Sequence, residues 1–182
     1  MILPAQPFTD YQAAAGWNAT AIKAARSTSL AQAKAIRDGT WRKESSTLDR
    51  GRMLHTYLLE PERFDSVYMI SGLSRNSTAF KTLAKENPDA TWIKPDDSQW
   101  LIQVQAAVDK NPVATDLLKD STHEVSCFAT CPDTELPLKA RLDGVGDAVT
   151  GPVLYDLKFT TATDLHAFGK QVARYGYDIQ FA

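Results

Sequence analysis

The sequence predicts a layered domain of the α/β or α+β class, and three observations carry that prediction. Helix-type text fills the first two thirds of the chain, β-rich text follows from about residue 121, and a single helical stretch returns near the end. With 182 residues, 43% of them apolar, the chain is long enough for one packed core and short for two. One domain is therefore expected, with a helical part over about 1–120 and a sheet part over about 121–182.

In order, residues 18–38 (NATAIKAARSTSLAQAKAIRD) are rich in Ala, Lys and Arg and close on Gly39, so they read as a helix broken near Ser27 to Ser29. A second helix is read in SSTLDRGRMLHTYLLEPERF, capped by Ser45 or Ser46, with Leu48, Leu54 and Leu58 at helical spacing; it ends near Glu60-Pro61, because a residue before proline avoids the helical region. A short helix is expected over Ser77 to Glu86 and a brief strand at TWIKP. Then comes a helix with Asp96 or Asp97 as cap and Trp100, Leu101, Val104 and Val108 on one stripe. Another short helix covers Val113 to Lys119. HEVSCFATC, LPLKARLDGVGDAV and PVLYDLKFT are strands punctuated by Pro132-Asp133 and Thr150-Gly151-Pro152. TDLHAFGKQVARYG closes as a helix capped by Thr163.

The net charge of -2 excludes a polycation, so any nucleic-acid partner must be held by a local patch. Such a patch exists between Ile22 and Met53. There Lys23, Arg26, Lys34, Arg37, Arg42, Lys43, Arg50 and Arg52 outnumber Asp38, Glu44 and Asp49, forming either a solvated helix face or a phosphate-contacting surface. No apolar run reaches the length of a membrane span and the start has no leader pattern, so a soluble, cytoplasmic protein is expected. Cys127 and Cys131 are too few for a disulfide scaffold or a four-thiolate cluster; both are read as reduced, with Cys127 buried in a strand.

The chemistry lies in residues 139–161, KARLDGVGDAVTGPVLYDLKFTT. If Leu138 to Val145 and Val153 to Phe159 pair as an antiparallel hairpin turning around Val149 to Gly151, Asp143 falls opposite Asp156. Alternation then brings Arg141, Asp143, Asp156 and Lys158 to one face. Two adjacent carboxylates repel unless a cation sits between them or one takes a proton. Hard oxygen ligands suit Mg2+ or Mn2+, and an ammonium beside them can orient a water for attack on phosphorus. The ordinary reading of a D-x-K triplet is an exposed cross-strand ion pair, but PVLYDLKF is largely apolar around its charges.

In order and spacing, RGRMLHTYLLEPERF, LKARLDGV, VLYDLKFTTA and YGYDIQFA resemble the RecE-type exonuclease (exodeoxyribonuclease VIII-like) branch of the PD-(D/E)XK nuclease superfamily. The resemblance implies a mixed central sheet flanked by helices, with an N-terminal helical region. It also implies a divalent-metal-dependent deoxyribonuclease that degrades linear duplex DNA from its ends in phage or prophage recombination. A single-strand annealing protein as partner and a ring-like homo-oligomer belong to the same expectation. Residue by residue, Asp143 answers to the first acidic ligand and Asp156 and Lys158 to the D/E-x-K pair. His55 answers to the helix-borne histidine, and Gln180 with Tyr177 to the later motif. The expected metal ligands are thus His55, Asp143, Asp156 and the Leu157 carbonyl. Lys158 positions water, and Gln180 orients Lys158 or substrate.

Gly51, one turn before His55, leaves a notch through which another element can approach closely; the bland reading of His55 is a core histidine. Arg141 either grips a DNA phosphate or neutralises the carboxylates. Glu124 is read as a solvated acid at a strand end, the alternative being support for the site; His123 and His166 are read as surface residues. The chain departs from the family pattern where Phe159 separates Lys158 from Thr160 and Thr161. Pro88-Asp89, Pro95-Asp96 and Pro132-Asp133 all lie away from the first acidic position, and relatives continue past the point where this sequence ends, so a shortened carboxy-terminal part is expected. A rival reading is a catalytically inactive DNA-binding or assembly module on the same fold. A Cas4-like nuclease is disfavoured, since its iron-sulfur cluster needs four cysteines.

Overall fold

A computed structural model describes residues 1–4, 6–42, 45–148 and 151–180, the side chain of Ala148 excepted. Val149 and Thr150, where the hairpin is expected to turn, lie outside the described residues, as does Lys43 of the basic segment. Strand β1 (Ile2–Leu3) leads into α1 (Phe8–Ala13), α2 (Ala19–Ser27), α3 (Leu30–Arg37), α4 (Ser46–Leu59) and α5 (Pro61–Val67). Then follow β2 (Tyr68–Ile70), α6 (Thr78–Glu86), β3 (Thr91–Ile93), α7 (Pro95–Asp109) and α8 (Pro112–Lys119). The chain finishes with β4 (Ser121–Thr130), β5 (Pro137–Ala148), β6 (Gly151–Tyr155), α9 (Leu165–Tyr175) and a 3-10 turn over Asp178–Gln180. This is a mixed α/β fold, with helices preceding an antiparallel sheet of order β1-β4-β5-β6 and a separate parallel pair β2-β3.

Local chemistry explains most boundaries. Asn18, Ser29, Ser45, Ser77 and Asn111 each cap the following helix by accepting an N–H from three residues on. The break between α2 and α3 thus coincides with a new cap at Ser29. Two expected caps shift. Helix α7 starts with Pro95 in its first turn after Lys94, because proline has no N–H to satisfy and a preset φ; α9 takes Asp164 rather than Thr163, its Oδ1 accepting the Ala167 amide at 2.8 Å. Pro61 likewise ends α4 and at once begins α5, an element the sequence reading does not contain; α1, β1 and β2 are also additions.

The apolar core joins α4 and α7 to β3 through Met53, Leu54, Leu101 and Ile93, with Tyr57, Leu58, Phe64, Tyr68, Trp100 and Val104 packed around them. Burying each such side chain stabilises by about 1.5–3 kcal/mol, which fixes α4 firmly enough to carry a functional side chain on its other face. Leu48, expected on the buried stripe, is exposed, and Cys127 is only half-buried. A Cβ at Gly51 would meet nothing within 4 Å, so among the described residues no element uses that notch.

The sheet sets the register of the site. Strand β5 pairs with β6 through Gly144↔Tyr155, Val145↔Leu154 and Gly146↔Val153, the alignment that puts Asp143 level with Asp156. It pairs with β4 through His123↔Gly144 and Val125↔Leu142, which puts Glu124 level with Asp143. Strand β6 ends at Tyr155 rather than at Phe159. The physical reason is that the Leu157 N–H donates to the Asp143 carboxylate at 2.6 Å and is not free for the ladder. Gly144 has no substitute, because a Cβ there would collide with the Tyr155 ring.

Candidate metal and acid site

Three acids lie in one row across the sheet, Glu124 on β4, Asp143 on β5 and Asp156 just past β6. Glu124 is not a solvated strand end. It sits within β4, level with Asp143, in the left-handed region at φ 53°, a conformation that costs a side-chain-bearing residue about 1 kcal/mol. Its carboxylate is paired with Arg141, whose guanidinium also donates to the Gln6 carbonyl at 2.8 Å and the Ser126 hydroxyl at 3.1 Å. Of the two roles open to Arg141, the structure therefore holds the neutralising one. Its side chain is only 9% exposed, and its donors point to protein rather than to solvent.

His55 projects from α4 over Asp143. Its Nε2 lies 3.0 Å from the Leu157 carbonyl and, because a carbonyl only accepts, Nε2 carries the hydrogen of that bond. Nδ1 faces Asp143 Oδ2 at 3.6 Å. An imidazole nitrogen and a carboxylate oxygen held face to face need a proton or a cation between them. Leu157 links the two groups, its N–H on Asp143 and its carbonyl on His55.

Buried among these groups, the Asp143 carboxyl is pushed up to about 6, first by loss of hydration, with His55 opposing the rise and the Asp156 and Glu124 carboxylates adding to it. Ligand atoms of His55, Glu124 and Asp143 all lie within 4.8 Å of one another. One imidazole nitrogen and two carboxylate oxygens in that space fit a hard divalent cation, so the residues present suit the Mg2+ or Mn2+ chemistry expected of them. Glu124 rather than Asp156 completes this trio.

Asp156 turns toward the other half of the site. Oδ2 is paired with the Lys158 ammonium and Oδ1 accepts from Gln180 Nε2 at 3.2 Å. Lys158 Nζ lies 4.7 Å from the centre of the Tyr177 ring, so Tyr177 supports the lysine as a cation-π partner. Lys23 of α2 joins the same group, 5.9 Å from that ring; burial depresses its ammonium, and the neighbouring Lys158 depresses it further. Lys23 was legible only as one cation of the basic segment. Thr160, next after Phe159, spends its hydroxyl on Gln171 and the Ala162 amide, while Phe159 packs on Trp100 with ring centres 5.4 Å apart. His123 is half-buried, with Nδ1 on the Leu59 carbonyl at 3.0 Å, and so is not a surface residue; His166 is exposed.

No described helix is long and apolar enough to cross a membrane. Residues 19–182 match the model of a family described as a PDDEXK-like domain of unknown function (DUF3799), and the D-x-K spacing in this chain is Asp156-Leu157-Lys158. Searches of curated proteins and of solved structures return no match.

Proposed function

This chain belongs to that PDDEXK-like family, and on that footing we propose that it is a divalent-metal-dependent deoxyribonuclease. The observation that carries the reading is the facing pair His55 Nδ1 and Asp143 Oδ2 at 3.6 Å, one strand away from an Asp156-Lys158 pair. His55, Glu124 and Asp143 would hold the cation, and Asp156 belongs to the same row of acids. When bound, Mg2+ or Mn2+ supplies Lewis acidity that withdraws charge from a phosphoryl oxygen. Lys158 orients the attacking water, whose oxygen forms the new bond to phosphorus as the bond to the deoxyribose oxygen breaks. Tyr177 and Gln180 keep Lys158 and Asp156 in place. The RecE-type resemblance narrows the activity to an exonuclease on linear duplex ends in recombination, with a single-strand annealing protein as partner.

Linear and closed-circular duplex DNA incubated with Mg2+, with Mn2+ or with chelator test the reading. Wild-type protein is expected to degrade the linear form alone and only with metal, and Asp156→Ala or Lys158→Ala to lose at least about 1,000-fold in rate while retaining the wild-type melting profile. Undiminished cleavage by purified Asp156→Ala protein contradicts the assignment. Metal-independent DNA binding without cleavage by wild-type protein would favour an inactive binding module.

A further inference from the structure

The three candidate ligands arrive on three elements, His55 on α4, Glu124 on β4 and Asp143 on β5. Ladder pairing of His123 with Gly144 and of Val125 with Leu142 keeps the two strands level on either side of the acids. A helix has no such ladder to the sheet, so side chains must set how near α4 stands. Two ties do this, one turn apart. His55 itself reaches the Leu157 carbonyl just past β6. Four residues on, the carbonyl of Leu59, the last residue of α4, lies 3.0 Å from His123 Nδ1. The last carbonyls of a helix have no donor within it, and because a carbonyl only accepts, Nδ1 carries the hydrogen of this bond. Among the described residues it is the one hydrogen bond between α4 and β4. His123 adjoins Glu124 in the chain, so the bond ties the turn after His55 to the segment that presents Glu124.

The imidazole is backed from the sheet. His123, Gly144 and Tyr155 make up the row next to Glu124, Asp143 and Asp156. Because Gly144 has no Cβ, the Tyr155 ring lies across it and meets the imidazole edge to face, with ring centres 6.4 Å apart. Nε2, by contrast, is buried with no hydrogen-bond partner among the described residues. An apolar ring of similar shape would give up one hydrogen bond and one unpaired nitrogen together, two changes that nearly balance in stability. What histidine adds over such a ring is therefore the tie to Leu59. We propose that His123 is a positioning residue for the cation, holding the end of α4 to β4 so that His55 and Glu124 stay within reach of one ion. This deepens the metal-dependent reading and rests on it.

Mn2+ titrated into metal-free protein without DNA, and followed by the electron paramagnetic resonance of the free ion, reads the site apart from cleavage. His123→Phe keeps a ring and removes the donor. It is expected to weaken Mn2+ binding by about 10-fold or more while Tm moves by no more than about 3 °C. His123→Asn places an amide nitrogen where Nδ1 stands and is expected to bring binding back to within about 3-fold of wild type. His123→Gln, whose nitrogen falls at the Nε2 position, takes the place of Phe as the loss variant if Phe does not fold. In a His55→Ala background the loss variant should cost less than about 2-fold further, because the ligand it positions is gone. Mn2+ binding by the folded loss variant equal to wild type overturns the assignment and leaves the metal site standing. Equal weakness of folded His123→Asn, or an undiminished further loss in the His55→Ala background, does the same. No Mn2+ binding by wild-type protein removes the metal site itself, and the role of His123 with it.

Discussion

Around Lys139, near the start of β5, a buried ammonium donates to the carbonyls of Tyr11 at 3.2 Å, Gln12 at 3.0 Å and Ala14 at 2.6 Å. Around Asp143, four residues along the same face of the same strand, a buried carboxylate has one backbone donor, a histidine nitrogen and two further acids for neighbours. Lys139 is 5% exposed and Asp143 is 9%, so burial does not separate them. Partnership does. The lysine closes the free carbonyl end of α1 and tethers it to the sheet, whereas the carboxylate is left under-neutralised. A buried charge with its complement supplied serves architecture, and one whose complement is withheld is a place where a cation from solution can act.

The largest way to break this comparison is at its satisfied pole. Lys139→Ala strands three helix-end carbonyls in a dry site and is expected to lower unfolding free energy by about 3 kcal/mol in urea titration. Divalent-ion binding at the far end of β5 should persist wherever the variant remains folded.

At the other pole the sign reverses. The Asp143 carboxyl is raised from the ordinary carboxylate range to about 6 in the folded chain, so the folded state holds its proton more tightly than the unfolded one. Stability from that proton is complete below about pH 4 and is lost as pH rises through about 6. Asp143→Asn keeps an oxygen to accept the Leu157 amide and carries no charge. In chelator it should match wild type near pH 4 and exceed it by about 2 kcal/mol at pH 8, while cleavage disappears. A gap of opposite sign at pH 8 would mean that the acids are already neutralised within the protein.

Gly51→Ala lies outside both poles and sharpens the comparison as a control. With nothing within 4 Å of the new methyl, the substitution should stabilise α4 by about 0.5–1 kcal/mol through backbone entropy, read as a higher Tm. A fall in cleavage with that rise in Tm would show that substrate, not protein, comes close to this turn.

Much of the site was legible because strands alternate and turns count residues. The β5-β6 register followed from a two-residue centre at Val149 and Thr150, and helix α4 from its Ser45 cap and its apolar spacing. What escaped reading was tertiary. Nothing local marks Glu124 for a left-handed backbone, because that strain is held by the ion pair with Arg141 and by the pairing of its neighbours His123 and Val125 with β5. The early end of β6 was hidden for a similar reason: a side chain fourteen residues back takes the Leu157 amide, which a strand pattern assigns to the ladder. Lys23 approaches Lys158 only after α2 packs beside the 3-10 turn of residues 178–180. Short elements such as α1 and β1 carry too few residues for any period to show.

Anomalous diffraction from crystals soaked in Mn2+ bears on the central claim most directly. One peak is expected within about 2.5 Å of the Asp143 carboxylate and close to His55 Nδ1 and Glu124, absent in Asp143→Asn crystals soaked alike. An Asp143 carboxylate with no peak beside it at saturating Mn2+, in crystals where His55 and Asp143 still face each other, would contradict it.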